Sequence, residues 1–257
     1  MPTDEPTNTL CADDPGQRLS YTLAVGFLPE IKIEQQKGMA FFSKLSRFVD
    51  LKNIGLEQPS WTFDGSGNYD GLKAAFGATN LSISFNRPPN AQDWHEERLR
   101  FIIGEFQKEF SPSYVVDCGA MVRTLLSVNG DAREFLAHHV MHLAPQRINS
   151  IGRPIHILGI RLMMPPFELV RDSEETGGAA DATSPIAREE WEADVRMESW
   201  LADPSKLWVE IKTTWQKPMP WTNEQTGAIV DHLRVASGFV TDKIVPFLRD
   251  QSAETET

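Results

Sequence analysis

Residues 191–215 read WEADVRMESWLADPSKLWVEIKTTW. Trp191, Ala193, Val195 and Met197 recur at every second position, and so do Leu207, Val209, Ile211, Thr213 and Trp215. Alternation of that period places each set on one face of a β-strand. Between them Asp203-Pro204-Ser205 supplies the residues of a type I turn. Two strands joined by so short a connection can pair only antiparallel. The stretch therefore reads as a long antiparallel hairpin.

The same reading extends in both directions. Tyr21, Leu23, Val25 and Phe27 alternate up to Pro29, which marks a first strand and its end. Between Lys37 and Leu51 the residues Phe41, Phe42, Leu45, Phe48 and Val49 recur at helical spacing. Trp61 with Phe63, and then Leu81, Ile83 and Phe85, give two strands around the glycine-rich stretch Asp64 to Gly71. Beyond Pro88-Pro89, with Asn90 or Asp93 as the cap, Leu99, Ile102, Ile103, Phe106 and Phe110 form one helical stripe. Val115 to Val128 is β-rich and ends at the turn pair Asn129-Gly130. A helix is expected from Asp131 to Leu143. His156 to Met164 is apolar except for Arg161, the pattern of a strand covered on both faces. Ile229, Leu233, Ala236, Val240, Ile244 and Phe247 mark a long terminal helix, with Gly238 and Pro246 as points where it bends or frays.

The expected order is βαββαβ followed by αβββα: an α+β fold with an antiparallel-dominated sheet and helices packed on one face. Its first half has the order of a ferredoxin-like split unit, a topological match that carries no function. The expected organisation is a disordered tail over residues 1–18, a single α+β domain over 19–250 and a disordered tail over 251–257. Within the domain, 171–190 contains Glu174-Glu175-Thr176-Gly177-Gly178 and reads as a mobile loop.

Composition narrows the function classes. Over 257 residues, 40% are hydrophobic and 24% charged, enough apolar material for a substantial core. A formal charge of −11 opposes a polyphosphate backbone, so no nucleic-acid partner is expected. The acidic N-terminus and the lack of an apolar run of about 20 residues speak against export and membrane insertion. Two cysteines, Cys11 and Cys118, fit a reducing compartment, and a cytoplasmic location is expected.

The motifs that could carry chemistry are thin. His138 and His142 stand one helical turn apart, but the metalloprotease glutamate is missing and further ligands would have to come from His95, His156 or His232. The run from Asp64 to Gly71 resembles a calcium loop until position six, Tyr69, and position twelve, Ala75, where glycine and glutamate are required. Cys118 has no neighbouring base in sequence and reads as a small buried residue. No metal, cofactor or catalytic residue is expected.

Five of the seven tryptophans fall between residues 191 and 221. Aromatic residues are favoured in sheet cores and enriched at interface hot spots. The expected surface for a ligand or partner is therefore Trp191, Trp200, Trp208 and Trp215 with His156 and Arg161. The leading expectation is a non-catalytic protein that binds a protein partner or self-associates as a homo-oligomer, through the hairpin and the strand Ile155 to Met164, because a sheet face opposite the helices needs a cover. The alternative is a small-molecule-binding protein or enzyme with an apolar pocket between the sheet and the terminal helix.

Overall fold

The computed structural model describes residues 8–11, 16–56, 60–87, 92–144, 147, 150–166, 191–216 and 218–253. The expected loop 171–190 and the cap Asn90 lie outside the described residues. The elements in chain order are β1 (Thr9–Leu10), β2 (Gln17–Leu28), α1 (Gln35–Leu45), β3 (Leu51–Gly55), β4 (Trp61–Gly65), β5 (Leu72–Phe76), β6 (Asn80–Asn86), α2 (Gln92–Phe110) and β7 (Tyr114–Asn129). They continue with α3 (Ala132–Glu134, running on as a π-helical turn over Phe135–Val140), β8 (Gly159–Met164), β9 (Trp191–Ser199), β10 (Lys206–Trp215) and β11 (Met219–Pro220). Last come α4 (Asn223–Phe239), a π-helical stretch over Val240–Ile244, and α5 (Val245–Ala253).

The 16-residue strand β7 organises the sheet. It pairs with β2 on one side and β10 on the other, and the full path is β3-β4-β5-β6-β2-β7-β10-β9-β8, with β1 and β11 also paired to β7. Every pairing is antiparallel. The mixed α+β architecture read from the sequence is present. Its order differs, because a meander of four strands stands between α1 and α2 where two were expected. Both extra strands carry weak signals. β3 is mostly exposed and polar, and β5 places the small Ala74 between Leu72 and Phe76. Thr9 and Leu10, within the stretch read as a tail, pair with Asn129 and Val128, and Leu10 is buried.

Register fixes two unlike faces. Ile83, Leu23, Ala120, Thr213 and Ala193 follow one another across the sheet on the covered face. Helices pack there: Phe106 of α2 lies 5.4 Å from both Phe27 and Phe76, Phe41 of α1 lies 5.5 Å from Phe76, and Phe239 of α4 meets Trp191 at 5.6 Å, centroid to centroid. Such ring pairs contribute about 0.5–1.5 kcal/mol each beyond the area they bury. Gly38 lets α1 sit directly on β4, since a Cβ there would fall 1.7 Å from the Trp61 ring.

The opposite face is different in kind. Thr62, Ala75, Ser82, Ala24, Gly119, Thr214 and Glu192 form one continuous cross-strand row in which each residue is small or polar. A row of that composition is suited to water.

β8 is also corrected. It begins at Gly159 and not at His156, pairs among the described residues only with β9, and alternates exposed and half-buried residues along its length. An apolar run predicted burial on both faces; the sheet instead leaves β8 at its end, with Ile160, Leu162 and Met164 packed against the core and Met163 61% exposed. At the C-terminus, Gly238 and Pro246 bracket the π-helical stretch 240–244. Proline lacks the N–H that would continue the ladder, which is where a helix widens or bends.

Candidate functional site

The hairpin places the six residues singled out in the sequence in three different environments. Trp191 and Trp215 are directly paired and belong to the covered face: Trp215 is buried at 3% exposure and Trp191 packs on Phe239. Trp200 and Trp208 come together at the other end of the hairpin, where the Trp200 N–H donates to the Lys206 carbonyl at 2.8 Å and closes the turn. Asp203 fixes that turn by accepting from the Ser205 N–H and hydroxyl at 2.9 and 2.7 Å. His156 is exposed ahead of β8 and Arg161 is exposed on it.

Trp200 and Trp208 line a pocket of about 450 Å³ on the open face, with Arg123, Glu198, Asn86 and Ile157 among its other walls. None of these four was singled out in the sequence. The alternation of β7 was the available signal, since Arg123 falls among the positions opposite the apolar set. The bulge in β2 between Arg18 and Ser20 brings Ser20 level with Arg123 and Asn86. Arg123 donates through Nε to Glu210 at 2.7 Å. Between β2, β6, α2 and α4, in contrast, lies a void of only about 10 Å³ lined by Tyr21, Leu23, Ile83, Phe85, Leu99 and Leu233. That volume is about what one water needs.

From the pocket an ionic row crosses to the sheet edge. Arg123, Glu210, Arg196 and Arg161 are successive cross-strand neighbours. Two arginines directly opposite each other would repel; Asp194 on β9 offsets this. Arg161 donates Nε and Nη2 to its two carboxylate oxygens, each at 2.8 Å, and Arg196 reaches it at 3.4 Å. The Arg161 hydrogen bonds, followed by the charges of both arginines, hold the Asp194 carboxyl below its ordinary range despite partial burial.

The two ends of the sheet are unequal. An edge strand presents outward N–H and C=O groups that can template another strand, and charge, bulges and brevity blunt it. Both end strands are short and carry one ion-paired charge, Lys52 with Asp70 at 2.6 Å on β3, but only β3 has a register break, between Leu51 and Asn53. β8 has Gly159-Ile160-Arg161-Leu162-Met163-Met164, whose one charge is tied back to Asp194. Among the described residues no strand pairs with its outer edge.

The remaining chemical candidates do not assemble. The helix carrying the histidines ends at Val140, and His142 takes a left-handed φ of 50° beyond it, so the one-turn relation to His138 is lost. His139 packs on Phe135 at 5.7 Å, and burial, then the charges of His138 and His142, lower its pKa. Among the described residues no three His, Cys, Asp or Glu side chains are grouped to hold a metal ion. Cys118 is fully buried and its thiol pKa is raised, first by burial and then by Asp117. Among the described residues no helix is long and apolar enough to cross a membrane. No protein-family model and no curated protein matches the chain.

Proposed function

We propose that this chain is a non-catalytic interaction protein that takes a strand of a protein partner, or of itself, onto the outer edge of β8. The contrast between the two sheet edges carries the reading: β3 is broken by a bulge and mostly exposed and polar, whereas β8 keeps unbroken register on β9 and packs Ile160, Leu162 and Met164 against the core. Strand addition draws affinity from main-chain hydrogen bonds and specificity from alternate side chains. The half-buried Ile160, Leu162 and Met164 supply one such set, and the exposed Met163 supplies the other. The β7-β2-β6-β5 neighbourhood is compatible with the ferredoxin-like order expected for the first half, with β3 and β4 added at its edge.

Met163→Lys tests this reading, because a lysine on an edge strand opposes pairing and the side chain it replaces is 61% exposed. In native mass spectrometry of protein purified gently from its own host, the complex is expected to fall to the mass of one chain. An assembly unchanged by Met163→Lys sinks the reading. The open-face pocket favours a second one, a small-molecule-binding protein, because two indoles stand there beside an arginine and a glutamate. A single chain carrying a small added mass, lost on Trp208→Glu, selects that reading.

A further inference from the structure

Resting on the strand-addition reading, we infer that the occupant of β8 is β8 of a second copy, in one register centred on Leu162. All the packed helices lie on one face, so a twofold axis normal to the sheet would join two copies into one continuous sheet with both helical layers on the same side. Residues directly opposite in an antiparallel pair share a face. Helix-side residues 160, 162 and 164 therefore meet only one another, and open-face residues 159, 161 and 163 do likewise. The axis must then pass between a residue and its own symmetry mate.

Four centres bring β8 against itself, and the side chains separate them. Centring on 161 sets Arg161 on its mate, a like-charge pair directly opposite, which is destabilising. Centring on 163 draws Pro165 and Pro166 into the ladder, and proline has no N–H to donate. Centring on 160 moves the overlap toward residues 156–158, which precede the strand. Centring on 162 pairs Leu162 with its mate, Ile160 with Met164 and Arg161 with Met163, and brings Pro165 in only at the end of the ladder, opposite Gly159. The half-buried row Ile160, Leu162 and Met164, already packed on the core, is then covered by the same row of the second copy.

Cysteine pairing reads this register directly. Directly opposite Cα atoms lie about 4.5–5.5 Å apart, within disulfide reach, whereas a mate displaced by two positions lies at about 8 Å and outside it. In a Cys11→Ser background, where the remaining Cys118 is buried, Leu162→Cys is expected to oxidise to a covalent dimer. Arg161→Cys alone and Met163→Cys alone are expected to stay uncrosslinked, and mixing those two chains to give the cross-linked heterodimer. Self-linkage by Arg161→Cys in place of Leu162→Cys overturns the register. A single copy joined to a different protein, with that complex lost on Met163→Lys, overturns self-pairing and leaves strand addition standing. A single chain of unaltered mass, with rapid amide exchange across 159–164 in the host-purified sample, overturns both.

Discussion

His232 makes the stability of this fold depend on pH in a way that can be measured. It lies on α4, is fully buried, and places Nε2 3.0 Å from the Thr213 hydroxyl, while Nδ1 has no hydrogen-bond partner among the described residues. Burial disfavours the imidazolium and pushes the pKa down from 6.5 to about 4, an effect only partly offset by hydrogen bonding to Thr213. Between these values the unfolded chain binds more protons than the folded one, so stability is complete above about pH 6.5 and falls as pH drops toward 4. The gap is worth about 3 kcal/mol at 1.36 kcal/mol per tenfold change in proton affinity. The assay is urea unfolding followed by tryptophan fluorescence across that window, for the native chain and for His232→Gln, which keeps a polar group near Thr213 without titrating. Carboxylates with lowered pKa, Asp131 and Asp194 among them, lose their contribution at lower pH in both proteins, so the difference between the two curves isolates His232. That difference is expected to change by about 3 kcal/mol. A difference that stays flat from neutral pH to about pH 4 refutes the reasoning.

Phe106→Ala removes a ring that touches Phe27, Phe41, Phe76 and Phe110, and is expected to cost about 3–5 kcal/mol in denaturant unfolding. Gly38→Ala should destabilise by about 1–3 kcal/mol although alanine is the better helix former, because the added methyl group runs into Trp61; a stabilised variant would show that α1 is not held against β4. Asp194→Asn leaves Arg161 and Arg196 facing each other with only a neutral acceptor between them, and a loss of about 1 kcal/mol that shrinks in high salt is expected. Iodide should quench Trp200 or Trp208 readily and Trp215 hardly at all, which single Trp→Phe variants resolve, since the first two line the open-face pocket and the third is buried.

The elements with strong periodicity were legible without coordinates. The hairpin β9–β10, the stripe of α2 and the alternation of β2 each bury one face of a regular structure, so local pattern and global packing agree. Expectation departed from structure where local pattern is weak or ambiguous. β3 and β5 have little alternation to read, and the apolar run into β8 has the composition of a two-sided buried strand while lying at the sheet edge. Which strand is last in a sheet depends on the pairing of distant segments, and no local window contains it. The same holds for the site. Five clustered tryptophans announce a structured hairpin, but parity and register divide them, sending Trp191 and Trp215 under the helices and Trp200 and Trp208 to the open pocket. Arg123 joins the latter pair across more than seventy residues of chain because β7 and β10 are neighbours. Residue alternation along each strand is a property of sequence; which strands adjoin, which face is left to water and which edge is left open are properties of the assembled sheet.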